Sequence, residues 1–317
     1  AAHGGARDYL DAVIWIETPS ERRKDRALAR DGDTYAPFWD QWAAQEEILL
    51  AEDLVGEAAD LVVDGSLGVS NAAAHVLAAL TSLPALEAIL GPELAGRRGL
   101  EFTANRLEAF PNSEAVFDAL YGTSTNAVWL DSSIPQSAGQ PAERARFSIM
   151  ADSAGHFGQL AQHSGGVTTL ISGPVTTRIN APFFRWLDSV WGRKAVRAPL
   201  AYDGEFTLGW LGYLGYELKH ESGGSRMEPP PGQAAASLIF AGRAVVFDHD
   251  QECIFLLTLS EASVPASALE ATQWRESVGA VIRELAEVSP VGGAHPGSPP
   301  SSAFGAPTFA GRDGRER

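Results

Sequence analysis

The chain has one cysteine, Cys253, in 317 residues, so neither an intrachain disulfide nor a cysteine-based metal site can be built from it. Cys253 stands inside the apolar run CIFLLTL and reads as a core thiol. Basic residues are few, 24 against 40 acidic ones, and the net charge is −16. Nucleic acid and anionic membrane surfaces both need a basic face, so neither is an expected partner. No run approaches the roughly 18 apolar residues of a membrane span, and no basic stretch with an apolar one behind it opens the chain. The expected location is the cytoplasm. His156, His163, His220 and His249 lack the regular short spacing of a zinc site. No G-x-S-x-G elbow occurs, so Asp248, His249 and Asp250 read as turn residues and not as parts of a triad.

What is present divides into two textures. The first segment runs DAVIWIETP, then SERRKDRALARDG, APFWDQWAAQEEILLAEDL and ADLVVDGS, which is strand, helix, helix, strand, the order of an α/β fold. An alanine-rich stretch from Asn71 to Leu90 follows and reads as a helical connector. From Leu100 short β-like runs take over: LEFTANRLEAF, NAVWLDSS, ARFSIMAD, VTTLIS, FTLGWLGYLGYEL, ASLIFAGRAVVFDHD and ECIFLLTLS. Helical patterns lie between them at SEAVFDALYG and APFFRWLDSVWG, and a last helix is expected at SALEATQWRESVGAVIRELAEV. FAGRAVVFDHDQECIFLLTL is the clearest hairpin, with Asp248, His249 and Asp250 in its turn. The expected fold is therefore α+β, a largely antiparallel sheet with flanking helices, preceded by a partial α/β segment. The expected divisions are 1–70, a connector at 71–98, the β-rich domain at 99–288, and a Pro/Gly/Ser-rich disordered tail at 289–317. Both ends read as cut.

The segment from residue 8 to 66 resembles the C-terminal half of bacterial uridine-kinase-like phosphotransferases. The resemblance implies a lid in which Arg22, Arg23, Arg26 and Arg30 neutralise nucleotide phosphates. A solvated helix face accounts for the same four arginines. No G-x-x-x-x-G-K-[ST] loop exists in the chain, so the backbone cradle and the lysine that seat ATP are missing.

VWLDSSIPQSAGQPAERARFSIMAD and FTLGWLGYLGYELKHE, in this order and followed by a terminal hairpin, resemble the N-terminal half of the aminodeoxychorismate synthase and anthranilate synthase component I family. The resemblance runs from about Leu100 to Val288. WLDSS in place of L-L-E-S, and the lead-in RLEAFPNSEAVFDALYG, favour the aminodeoxychorismate branch. The resemblance implies a pocket for tryptophan lined by Leu130, Asp131, Ser132, Arg146 and Phe147. A carboxylate and a hydroxyl at a strand end suit an ammonium group, and aromatic rings suit an indole. Ser132 and Ser133 could instead cap a turn before Pro135. Gly209, Gly212 and Gly215 among Trp210, Tyr213 and Tyr216 suggest either close approach of another layer or a glycine-kinked core strand.

The family's chemistry is carried by its second half, where magnesium bridges the chorismate carboxylates. No P-I-K-G-T-like lysine segment follows the hairpin, so no catalytic residue and no cofactor is assigned to these 317 residues. Implied partners are the chorismate-binding half and a glutamine amidotransferase. The remaining alternatives are an anthranilate synthase fragment, a nucleoside-kinase-like fragment, and a non-catalytic docking module for the amidotransferase. Because the phosphate loop is missing, calorimetry with millimolar ATP and magnesium is expected to show no saturable binding; magnesium-dependent binding would restore the kinase reading.

Overall fold

The short runs become strands gathered into two sheets in the computed structural model, which describes residues 4–86, 89–90, 99–132, 146–190, 196–227 and 229–288. One sheet has five strands, in the order β3 (Leu100–Leu107), β12 (Cys253–Glu261), β11 (Arg243–Asp248), β5 (Phe147–Asp152) and β4 (Ala127–Leu130). Every neighbouring pair in it is antiparallel. The other has seven, in the order β1 (Ile14–Glu17), β2 (Leu61–Asp64), β8 (Val175–Asn180), β7 (Val167–Ser172), β6 (Gln159–Ser164), β10 (Ala236–Ala241) and β9 (Gly209–Leu214). Only β1 and β2 run parallel there.

The α-helices beside the sheets include α1 (Ser20–Asp31), α2 (Trp39–Asp53), α3 (Val69–Leu80), α4 (Ser113–Tyr121), α5 (Phe183–Val190) and α6 (Pro265–Val288). The start of α4 is set by Asn112, whose side chain accepts from the Ala115 N–H at 3.0 Å. None of these helices is long and apolar enough to cross a membrane.

The hairpin of β11 and β12 forms with the expected turn, and it is buried on both faces. On one face Val245, Phe247, Ile254 and Leu256 pack with Val116 and Tyr121 of α4 and with Val278 and Ile282 of α6. On the other, Ala244, Val246, Cys253, Phe255 and Leu257 meet Leu211, Ile239 and Ala241 of the seven-stranded sheet. A strand covered on both sides carries apolar residues without alternation, which is why CIFLLTL is a continuous run. Cys253 is fully buried, and that burial pushes its thiol upward from its ordinary range.

ASLIFAGRAVVFDHD is two strands, not one. The chain leaves the seven-stranded sheet at Ala241 and enters the five-stranded sheet at Arg243. A Cβ on the intervening Gly242 would meet the Cβ of Phe157 at 2.6 Å, so the crossing needs glycine. Gly212 answers the question about the glycine-spaced segment. Its φ is 149°, and a Cβ there would stand 2.1 Å from the Ser237 carbonyl oxygen, so the close neighbour is strand β10 of the same sheet.

Strands β6 and β8 were not expected from QLAQHS and VTTRIN. Their inward positions include polar residues, His163 and Thr177, and both are nonetheless buried. The seven-stranded sheet continues into the N-terminal segment. β2 pairs with β8 through Leu61↔Thr177, Val62↔Thr176 and Val63↔Val175. α3, within the stretch read as a connector, lies on this junction, burying Ala79 with Leu61, Val63, Leu83 and Val175. Residues 91–98 and 289–317, the end of that stretch and the expected tail, lie outside the described residues. Leu61 is fully buried. Leu61→Ala is therefore expected to destabilise the chain by about 3 kcal/mol in chemical denaturation; a loss under about 1 kcal/mol, within the range of a surface substitution, would contradict this junction.

Candidate functional site

The residues singled out around the L-D-S run come together at one end of the five-stranded sheet. Leu130 pairs with Ile149, and Phe147 pairs with Asp248, so the end of β4, the start of β5 and the end of β11 lie side by side. Strand alternation then divides them between two faces. Phe147 packs toward the seven-stranded sheet. Asp131 follows the alternation of Trp129 and Ala127 and belongs to the face covered by α4 and α6. Leu130 is 43 % exposed.

On the face toward the seven-stranded sheet, Arg146 is a structural clamp. Its Nε and Nη2 donate to the two carboxylate oxygens of Asp248 at 2.9 and 2.7 Å, and Nη2 also meets Asp203 at 2.8 Å. Its guanidinium lies 4.7 Å from the Phe147 ring centroid. The hydrogen bonds to Asp248 and Asp203 and their charges push the Arg146 guanidinium further upward, so it stays protonated. Asp248 is completely buried; burial alone would raise its carboxyl. Arg146 and the N–H groups of Asp250 and Gln251, at 3.1 and 3.2 Å, outweigh that and hold it below the usual carboxylate range. Asp248 thus caps the hairpin turn, as a turn residue should, and anchors the strand beside it. Arg146 is committed to carboxylates already in the fold.

On the other face, Ser148 is the centre. It is fully buried, accepts from the Ser132 N–H at 3.0 Å, donates to Asp131 Oδ1 at 3.0 Å, and lies 2.7 Å from His249 Nε2. His249 stacks on Phe247 with ring centroids 6.3 Å apart and meets Phe110 edge-on at 5.7 Å. Its backbone N–H donates to the Arg146 carbonyl at 2.9 Å. Desolvation lowers the His249 imidazole below its ordinary value, against the opposing pull of Asp131, Asp248 and Asp250. The result is a carboxylate, a hydroxyl and three rings in one place, an arrangement that can hold an ammonium group beside an aromatic surface.

Ser148 and His249 were missed from the sequence. Ser148 is an internal residue of ARFSIM, and His249 reads as a turn residue; only the pairing of β5 with β11 brings them together. Ser133, offered as a possible turn cap, lies outside the described residues.

The four lid arginines sit on α1, where two of them reach the same turn and the other two pair with carboxylates. Arg22 donates to the Ser66 carbonyl at 2.7 Å and Arg26 to the Gly65 carbonyl at 2.8 Å, tying α1 to the turn after β2. Arg23 pairs with Glu46 of α2, and Arg30 pairs with Asp31 at 2.7 Å.

A scan against protein-family models finds no match. The chain is similar to an aminodeoxychorismate synthase of Streptomyces griseus, 34 % identical over 197 residues, covering 61 % of this chain and 26 % of that protein. It is also similar to an aminodeoxychorismate synthase of Streptomyces pristinaespiralis, 32 % identical over 186 residues, covering 57 % of this chain and 24 % of that one. It spans about a quarter of the length of these relatives. Among solved structures, anthranilate synthase component I from Streptococcus pneumoniae TIGR4 matches 48 % of this chain and 31 % of its own at 21 % identity, with a TM-score of 0.31, too low to bear on the fold.

The Arg146–Asp248 clamp makes a signed prediction. A carboxyl held low in the folded state contributes stability above its unfolded value, and the contribution is lost as pH falls through the folded value. Asp248→Asn is expected to cost about 3 kcal/mol at neutral pH and to flatten the decline in stability below about pH 4, measured by urea denaturation across pH. An unchanged acid limb would show that Asp248 is not the group that titrates.

Proposed function

We propose that this chain is the N-terminal portion of an aminodeoxychorismate synthase component I, the enzyme that aminates chorismate on the way to 4-aminobenzoate and folate. The observation that carries this reading is the 34 % identity to the Streptomyces griseus aminodeoxychorismate synthase over 197 residues. The α+β body with its largely antiparallel sheets agrees with the fold that the resemblance implies. The kinase-like reading of residues 8–66 rests on sequence resemblance alone.

In this proposal the described portion does not perform the amination. Among the described residues no group of three or more His, Cys, Asp or Glu is placed to hold a metal, and no step through magnesium is assigned to this portion. The portion instead supplies a body against which the chorismate-binding portion folds, together with a ligand site of tryptophan-like chemistry at Asp131. There the carboxylate would take the ammonium group and the ring of Phe110 would lie beside the indole. A glutamine amidotransferase is the proposed partner that delivers ammonia.

The test uses the segment of the Streptomyces griseus relative that this chain does not match, expressed separately. With chorismate and ammonia, and release of 4-aminobenzoate as the coupled readout, the chain alone is expected to be inactive and the two together active. Turnover by the isolated chain would overturn the reading.

A further inference from the structure

The protons around Ser148 can be assigned by counting. A serine hydroxyl has one hydrogen and two lone pairs, whereas an ionised carboxylate only accepts. Ser148 Oγ has three close partners: the Ser132 N–H at 3.0 Å, which can only donate, Asp131 Oδ1 at 3.0 Å, and His249 Nε2 at 2.7 Å. If the hydroxyl gave its hydrogen to His249, the Asp131 carboxylate would face a hydroxyl lone pair at 3.0 Å. The arrangement that satisfies all three partners sends the hydroxyl hydrogen to Asp131. His249 must then donate through Nε2, which fixes the tautomer and leaves Nδ1 to take the proton when the ring is charged.

We propose that Ser148 and His249 are the positioning pair of this site: the imidazole, donating through Nε2, orients the Ser148 hydroxyl onto Asp131, and a charge on that imidazole opposes any cationic group that Asp131 holds. The second clause rests on the proposed ammonium-binding role of Asp131; the first rests on geometry alone.

The surroundings support both parts. The groups facing His249 from the elements packed against it are Asp131 after β4, Ser148 on β5, Arg146 through its carbonyl, Asp248 and Asp250 in the turn, and the rings of Phe110 and Phe247. Asp248 is neutralised by Arg146, so Asp131 is the carboxylate linked to the imidazole through a shared hydroxyl. The apolar rings disfavour the charged imidazole, so at neutral pH the ring is uncharged and the site opposes no cation. As pH falls through the ring's titration, His249 becomes a cation beside Asp131 and competes with a ligand's ammonium group for it.

The experiment uses the full chain labelled with 15N-histidine, read by long-range proton–nitrogen spectra, with calorimetry of L-tryptophan binding from pH 8 to pH 5. The signals of the other six histidines report whether each variant folds. The expected result is a neutral His249 protonated at Nε2. In Ser148→Ala both tautomers should be present, and in Asp131→Asn the ring should titrate at lower pH because a carboxylate that raises it is gone. L-tryptophan affinity should fall by about tenfold per unit of pH below the titration and stay level in His249→Gln, which keeps an N–H donor. An Nδ1-protonated ring, or an unchanged tautomer in Ser148→Ala, overturns the positioning pair. Binding that is level with pH in the unaltered chain overturns the charge clause. Absence of L-tryptophan binding at every pH removes the ammonium reading and the charge clause with it, while the ring spectra still decide the positioning pair.

Discussion

Burial of the β11–β12 hairpin on both faces is the constraint from which the rest of the molecule follows. A hairpin pressed between α4 and α6 on one side and the seven-stranded sheet on the other offers its polar groups no water. Each polar side chain at its end must find a partner inside the protein or cost several kcal/mol. Asp248 and Ser148, both fully buried, are where that requirement falls. Arg146 answers the first on one face of the sheet, and Asp131, Ser132 and His249 answer the second on the other. The candidate site is thus a consequence of closing the core at a strand end, and its orientation is set by strands and not by a loose loop.

The same sheet logic joins the N-terminal segment to the body. β2 adds to the edge at β8, and α3 seals the join with Ala79 against Leu61 and Val175. The arginines of α1 hold that helix to the turn after β2 and to α2, which is a structural use of the charges that a phosphate lid would also employ. β1 forms the outer edge beyond β2, with Ile14 and Ile16 exposed.

How much of this was legible depended on local signals. Runs such as CIFLLTL and AVVFD announce buried strands because both faces are apolar, and the D-H-D turn announces the hairpin. β6 and β8 were not legible because their inward positions carry the polar residues His163 and Thr177; His163 is satisfied on the adjacent strand by Thr168 Oγ1, 2.9 Å from its Nδ1. The break at Gly242 was hidden by uninterrupted apolar character on both sides of it. At the site, resemblance named Leu130, Asp131, Ser132, Arg146 and Phe147, and all five lie at one sheet end. Their division between two faces follows from register, and the roles of Ser148 and His249 from a pairing across 101 residues, neither of which composition encodes.

The central claim is that this sheet end is a ligand site and not only a closed corner of the core. The most direct measurement is a titration of the isotope-labelled chain with L-tryptophan, followed by backbone and side-chain chemical shifts. The account predicts saturable changes concentrated at Asp131, Ser132, Phe110 and His249. Shifts absent at saturating concentration, or centred on α1 and α2, would contradict it.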